Sequence, residues 1–337
     1  MKREAIQLDH GSGGRATHEL VREIFREALG NEYLDAMNDS AVVDIEPGAR
    51  LAMTTDSYVV DPLFFPGGTI GSLAVHGTVN DLAMQGARPL YLTAGFILEE
   101  GLPAETLSRV VEDMARAAAE AGVLVVAGDT KVVGRGKADK MFINTAGVGL
   151  VPHGVTLGGR LAAAGDAVLV SGTIGDHGMA ILCTREGLAF ENELRSDSAP
   201  LNGLVRAMLD AFPGIHVLRD PTRGGVATTL NEIALQSGVG IRLEEETLPV
   251  RGDVAGACEL LGLDPLYVAN EGKVLVVTPP QGAEAVLEAM RGHPLGREAR
   301  RIGEVVGSDP GRVVLRTLVG GHRVLDMLRG EPLPRIC

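Results

Sequence analysis

The sequence predicts an α/β (α+β) protein built from two comparable halves, and three observations carry that expectation. Apolar or alternating runs of strand length take turns with amphipathic runs of helical period. A glycine-rich break at Gly158-Gly159 and Ala162–Gly165 interrupts the alternation, and the pattern starts again beyond it. The 337 residues suit about two domains of ordinary size.

In the first half, residues 16–29 put Leu20, Val21, Ile24, Phe25 and Ala28 on one helical face, and Gly30-Asn31 stops that helix. Leu51–Val60 reads as a strand with polar interruptions at Thr54, Thr55, Asp56 and Ser57. A helix is expected over Ile70–Gln85, ending before Gly86 and Pro89. Pro103 opens the clearest helix, with Leu107, Val110, Val111, Met114 and Ala118 along one side and Gly122 at its close. Val123–Ala127 is expected as a short buried strand, and Phe142–Val151 as another. In the second half, strands are expected at Ala167–Ser171, Ile241–Glu244, Lys273–Thr278 and Val313–Thr317. Helices are expected at Met179–Glu186, Leu201–Phe212, Val226–Gln236 and Ala283–Arg291.

Composition narrows the function. The net charge of −13 at pH 7 argues against a general nucleic-acid binder, which needs a basic face. It leaves room for one local anion site. With no Trp and few aromatics, base stacking is not the mode of action. Glycine is 45 of 337 residues, nearly twice the usual share of about 7%, and without a collagen period these glycines serve loops. Three cysteines, Cys183, Cys258 and Cys337, make no disulfide framework. The first two lie in apolar helical contexts, where a buried structural thiol is the default. Met1-Lys2-Arg3-Glu4 offers no apolar signal core. No run approaches the roughly 18 apolar residues of a membrane span. A soluble, cytoplasmic protein is expected.

Four carboxylates sit beside turn-formers or small polar residues: Asp39 in Asn38-Asp39-Ser40, Asp56 in Thr54-Thr55-Asp56-Ser57, Asp81 in Asn80-Asp81-Leu82, and Asp129 in Gly128-Asp129-Thr130. Any one alone reads as a cap or a turn. Together, with no cysteine or paired histidine beside them, they suit Mg²⁺ with phosphates rather than zinc. Glycine loops supply the matching half. Gly11-Ser12-Gly13-Gly14 precedes the first helix, and Arg223-Gly224-Gly225 precedes another. Such loops let backbone N–H groups approach phosphate at a helix N-terminus, although neither is a Walker sequence. Lys131, following Asp129-Thr130, can hold phosphate or serve as a base. Glu271, in Asn270-Glu271-Gly272, is catalytic or an exposed loop acid, and the sequence leaves these even.

The C-terminus is the most unusual segment. Pro332-Leu333-Pro334-Arg335-Ile336-Cys337 is stiffened by its prolines. An extended chain from Asp326 to Cys337 reaches roughly 35 Å at about 3.3 Å per residue. That is long enough to carry sulfur to a distant site, and a swinging carrier thiol is the expectation.

These segments resemble the HypE family of hydrogenase maturation proteins, within the PurM-like superfamily of aminoimidazole ribonucleotide synthetase. The matching pieces are Asn38–Val42, Thr54–Ser57, Gly77–Ala83, Gly128–Val133, Arg219–Gly225, Asn270–Gly272, the His10–Gly14 loop and the Pro334–Cys337 end, and they span essentially the whole chain. The acidic and glycine motifs are shared across the superfamily, whereas the Pro-Arg-Ile-Cys end is specific to this member. The resemblance implies ATP-dependent dehydration of an S-carbamoyl group on the terminal cysteine to a thiocyanate, the source of the cyanide ligand of [NiFe] hydrogenase. It implies the carbamoyltransferase HypF as donor and the HypC–HypD complex as acceptor. It also implies a homodimer whose N-terminal sheets form a barrel, and a four-part chain. That chain has a flap and helix (1–35), an ATP-binding and dimerisation domain (36–157), a C-terminal α/β domain (158–325) and a flexible tail (326–337). Asp39, Asp56, Asp81 and Asp129 would hold Mg²⁺, and Gly11–Gly14, Asn80, Asp81, Asp129, Thr130 and Arg223–Gly225 the nucleotide. Lys131 or Glu271 would be the base. The rival readings are another ATP-using PurM-like synthetase or kinase, and a non-catalytic assembly protein whose cysteine binds metal or a partner.

Overall fold

The computed structural model describes residues 14–20, 41–46, 49–188, 194–330 and 335–337. Of the expected features, Gly11, Ser12, Gly13, Asp39 and residues 21–29 of the first helix lie outside the described residues.

After a short helix α1 (Arg15–Leu20), the first half lays down β1 (Ala41–Glu46), β2 (Ala49–Tyr58), the small hairpin β3 (Phe64–Phe65) and β4 (Gly68–Thr69), then α2 (Ile70–Met84). It continues with β5 (Arg88–Glu99), α3 (Ala104–Ala121), β6 (Leu124–Val133) and β7 (Met141–Val151). Five of the strands form one sheet in the order β1-β2-β7-β5-β6. Only β5 and β6 run parallel, because α3 crosses over between them. A capping box starts α2: the Thr69 hydroxyl accepts from the Ser72 amide while Ser72 Oγ accepts from the Thr69 amide. Every residue of α2 except Asp81 is buried, which makes it the central helix beneath the sheet's inner face. Val110, Met114, Ala117, Ala118 and Ala121 form the buried stripe of α3. Gly122 stops that helix at φ 70°, in the left-handed region.

The second half consists of β8 (Ala167–Val170), α4 (Asp176–Arg185), α5 (Asn202–Ala211), β9 (Val217–Arg219), α6 (Gly225–Ser237), β10 (Gly240–Glu244) and α7 (Gly252–Leu261). It ends with β11 (Leu275–Thr278), α8 (Pro280–Gly292), β12 (Arg300–Val306), β13 (Val313–Arg316) and β14 (His322–Leu325). Its seven strands run in the order β14-β13-β10-β12-β8-β11-β9. Alternate residues of the same strands feed two cores. Val168, Val170, Leu275 and Val277 meet Val226, Leu230 and Ile233 of α6 on one face. Ala167, Leu169, Val274 and Val276 meet Leu204 and Met208 of α5 and Val286 and Met290 of α8 on the other. That double cladding is why these strands read as unbroken apolar runs.

A third core joins the halves. Tyr58, Ile70, Leu73 and Ile143 of the first half pack with Met179, Ile181 and Cys183 of α4 and Val254, Ala257 and Cys258 of α7. By contrast, the outer face of the five-stranded sheet leaves Met53, Tyr91, Ile97 and Leu124 exposed.

Most expected elements appear within a few residues of their expected ends, but the short buried strand expected at Val123–Ala127 is β6, an edge strand that runs on to Val133 with Leu124, Val125 and Val126 exposed. The largest departure is β5, whose Pro89 reads in sequence as a break. Pro89 sits at a register irregularity, before pairing with β6 begins at Tyr91, a position where a strand tolerates proline. The strands β9, β12 and β14 were also unexpected, being short or carrying polar residues such as Arg300-Arg301. Among the described residues no helix is long and apolar enough to cross a membrane.

Candidate active site

The sequence-based picture of an exposed tail gives way, over residues 335–337, to a packed one. The Val59 amide donates to the Cys337 carbonyl and the Asp61 amide to the Arg335 carbonyl, each at 3.1 Å. This two-residue spacing in opposite directions is antiparallel strand pairing against the chain just beyond β2. Ile336 is 4% exposed and belongs to the core shared by the two halves. Arg185 Nη2 donates to the Arg335 carbonyl at 2.7 Å. Arg335 Nε donates to the Val59 carbonyl at 3.1 Å, and its guanidinium pairs with Asp139. Cys337 is half-buried.

The residues around Cys337 come from both halves. Glu271 is 3% exposed, and its Oε1 has no hydrogen-bond partner among the described residues. Its turn is locked on all sides. Asn270 Nδ2 donates to the Pro221 carbonyl at 2.9 Å, and Asn270 Oδ1 accepts from the Gly175 amide at 2.8 Å. The Asp197 carboxylate accepts from the Glu271 and Gly272 amides, each at 3.1 Å, and pairs with Lys273 at 3.0 Å. Burial, with the nearby charges of Asp220, Asp56 and Asp197, pushes the Glu271 carboxyl well above the usual range; Arg223 opposes them. Burial also raises Asp56. Arg223 is held protonated above all by the negative charge of Cys337, with Asp56 and Glu271 adding to it. Burial would raise Asp197 as well, but Lys273 and His177 leave it below its ordinary value. The arrangement is one arginine, Arg223, whose charge is felt by a half-buried cysteine and by two carboxyl groups of raised pKa. Such a site can hold a thiolate, or an oxyanion, beside a proton acceptor.

The other expected site residues fall into three groups. Asp81, on α2, accepts a hydrogen bond from Thr54 Oγ1 at 2.8 Å, and Asp56 Oδ1 accepts from the Ser57 amide. Asn80 is buried and committed to the second half: its Nδ2 donates to the Ala199 carbonyl at 3.0 Å and its Oδ1 accepts from the Leu201 amide at 2.7 Å. Asp129 and Lys131 pair at 2.7 Å on the edge strand β6, where their side chains are 69% and 70% exposed; Thr130 lies between them. Gly224 and Gly225 open α6 with φ of 82° and 62°. A Cβ on Gly225 would lie 2.6 Å from the Leu266 carbonyl oxygen, so both close packing and backbone conformation require glycine there. Gly14 is buried, and the next amide, of Arg15, donates to the Leu328 carbonyl at 2.9 Å. Among the described residues no three His, Cys, Asp or Glu side chains gather as a ready-made metal cage.

Sequence reasoning missed His177, Arg185, Asp197 and Lys273. One usable signal existed: His177 lies in Gly175-Asp176-His177-Gly178, a glycine-bounded helix start like the Gly11–Gly14 and Arg223–Gly225 loops.

Residues 37–151 match the N-terminal domain of AIR synthase related proteins, and residues 163–316 match their C-terminal domain. The chain is 60% identical over 337 residues to "Carbamoyl dehydratase HypE" of Cupriavidus necator, covering 100% of this chain and 96% of that protein. A structure of hydrogenase maturation protein HypE in complex with ATP matches with a TM-score of 0.84 and 53% identity, over 99% of this chain and 100% of that one. The HypE chain of a HypE–HypF complex matches with a TM-score of 0.87 and 52% identity, over 92% of this chain and 99% of that one.

Proposed function

The chain belongs to the HypE family of AIR synthase related proteins, and we propose how its own residues carry out that family's reaction. The enzyme is an ATP-dependent carbamoyl dehydratase. The S-carbamoyl group on Cys337 keeps its carbon–sulfur bond, loses its oxygen and both amide protons, and becomes a thiocyanate. The cyano group is the source of the cyanide ligand in hydrogenase maturation, and HypF is its partner. Transfer of that group to the HypC–HypD complex follows from the same chemistry, since a thiocyanate carbon is electrophilic and its thiolate a good leaving group.

When bound, ATP supplies the phosphoryl group that turns the amide oxygen into a leaving group, and Mg²⁺ would neutralise charge on its phosphates. The donor set fits. Asp56 and Asp81 offer hard oxygen ligands, and Mg²⁺ takes one or two carboxylates plus phosphate oxygens rather than an all-protein cage. Asp39 and Asp129 would complete the set, and Gly11–Gly14, Asn80, Thr130 and Arg223–Gly225 would line the nucleotide. Lys131 would meet phosphate.

We assign Glu271 as the proton acceptor. The observation that carries this is its buried carboxyl, with one oxygen unpartnered, in the group that surrounds Arg223 and Cys337. Arg223 stabilises the negative charge that develops at the docked carbamoyl group during dehydration. Burial of Ile336 anchors the tail beside the site, which limits the water that could hydrolyse an activated intermediate at Cys337. The test is to carbamoylate the protein, add ATP and follow its intact mass: wild type loses one water, and Glu271→Gln retains it.

We propose the four-part division at 1–35, 36–157, 158–325 and 326–337 as the functional one. The exposed apolar face at Met53, Tyr91, Ile97 and Leu124 is large for a monomer's surface and supports a homodimer formed through it. A carrier thiol that must stay reduced suits the cytoplasm.

A further inference from the structure

Two backbone bonds hold the tail to residues 59–61, and two such bonds do not by themselves fix a register. A slip of two residues would preserve both the pairing and the facing of the side chains. The slip would also move Cys337 by about 7 Å along the strand, out of reach of Arg223. Arg185, which donates to the Arg335 carbonyl, and Arg335, which donates to the Val59 carbonyl, hold part of that register; a partner for the intervening carbonyl completes it. Because alternate residues of an extended segment point their carbonyls to opposite sides, the Ile336 carbonyl faces away from Val59 and Asp61, into the protein. There it meets His177.

His177 is 0% exposed, and its Nε2 lies 2.6 Å from the Ile336 carbonyl oxygen. A carbonyl only accepts, so Nε2 carries the proton. Nδ1 lies 2.7 Å from Ser196 Oγ. That oxygen already accepts from the Ser198 amide at 3.1 Å, which leaves the Ser196 hydroxyl proton for Nδ1. The network therefore selects one neutral tautomer. The ring is held edge-on to Phe65, with centroids 5.7 Å apart. Burial lowers the proton affinity of the imidazole, opposed by Asp197 and by the bond to Ile336.

We propose that His177, oriented by Ser196, is a positioning residue for dehydration: its Nε2–H binds the Ile336 carbonyl and completes the register in which the tail presents Cys337 to Arg223 and Glu271. This rests on Cys337 being the carrier. The ring nitrogens of His177 are both committed, to Ser196 and to the Ile336 carbonyl, so its role is to position the tail. Its loss should leave the chemistry intact and lower the fraction of tails that are correctly docked. Carbamoyl transfer, which needs the thiol to meet HypF, should not be slowed.

Two substitutions at one position separate the hydrogen bond from simple packing. In His177→Gln the amide nitrogen stands near the place of Nε2 and still reaches Ile336. In His177→Asn the amide stands near Nδ1, keeps its contact with Ser196 and cannot reach the tail. Each carbamoylated protein is mixed with saturating ATP, and water loss is timed by intact mass in a single turnover. The resting proteins are also alkylated with iodoacetamide, and the Cys337 peptide is quantified. His177→Asn should dehydrate about 3- to 10-fold more slowly, the worth of one neutral hydrogen bond, and should alkylate faster by a similar factor. His177→Gln should stay within about twofold of wild type on both readouts. Should His177→Asn fail to fold, Ser196→Ala should move both readouts in the same direction by a smaller factor. Wild-type rates in His177→Asn, or in Ser196→Ala where that is the variant that folds, overturn the proposal. Equal losses in the Gln and Asn variants overturn it too. Absence of water loss in wild type would instead overturn the reading of Cys337 as carrier.

Discussion

Glu271 and Lys131 stand in similar sequence settings, each next to glycine and polar residues at the edge of a strand, yet the fold treats them oppositely. Glu271 is shut inside the junction of the two halves, in a turn fixed by Asn270 and Asp197, with an oxygen left unpaired. Lys131 is on the edge strand of the five-stranded sheet, neutralised by Asp129 and open to solvent. The contrast shows that chemistry near strand ends divides by exposure. The buried group can have its proton affinity retuned, while the exposed pair sits in water on an edge strand. The two halves accordingly divide the work. On the proposed reading, the first half offers carboxylates and a lysine to the nucleotide, and the second offers Arg223–Gly225 and the buried acid Glu271.

The widest separation comes from Cys337→Ala. It should abolish all covalent modification in peptide mass maps while Cys183→Ala and Cys258→Ala remain modifiable, since both of those thiols are buried and pushed toward the neutral form. Next, Glu271→Gln should slow dehydration by about 10²- to 10⁴-fold, the usual worth of a general base. In wild type the dehydration rate should climb with pH as Glu271 loses its proton, over a limb above the ordinary carboxylate range. A smaller and different effect is expected on the nucleotide side. Asp81→Asn and Lys131→Met should raise the KM for ATP by roughly 10-fold, with little change in single-turnover dehydration at saturation. A loss in Lys131→Met that matches Glu271→Gln and persists at saturating ATP would reverse the assignment of the base. For the sheet face, Met53→Asp with Ile97→Asp should convert dimers to monomers in sedimentation while leaving the fold intact. The smallest effect concerns stability. A carboxyl whose pKa is raised on folding keeps a proton that the unfolded chain releases, so stability falls as pH rises above the ordinary carboxylate range. Glu271→Gln removes that slope, and at neutral pH its Tm should exceed that of wild type by a few degrees. An unchanged slope would mean that Glu271 is not the buried acid described here.

Much of this was legible before any coordinates. The helix over residues 104–121 announces itself through Pro103, its apolar stripe and Gly122. The buried runs at 167–170 and 275–278 are apolar throughout because both faces of their sheet are covered. The long strand over residues 88–99 was hidden because Pro89 reads as a stop, and only its place at a register irregularity makes it tolerable. At the site, the Asp, Gly and Arg motifs could be found from residue types. Whether Glu271 or Lys131 was buried could not, because burial here is made by distant partners: Asp197 and Asn270 hold the turn from 74 and 95 positions away in their contacts with Glu271 and Gly175. The glycine-bounded helix start marked His177's segment, but its contact to the tail was hidden for the same reason. Its partner, Ile336, is 159 residues further on.

The central claim is that this chain dehydrates a carbamoyl group on its own Cys337. The most direct measurement is peptide mass mapping of the protein after carbamoyl transfer by HypF, before and after ATP. The adduct should appear on the Cys337 peptide alone, and it should lose the mass of one water only when ATP is added. An adduct on the Cys183 or Cys258 peptide, or a Cys337 adduct whose mass ATP leaves unchanged, would contradict the account.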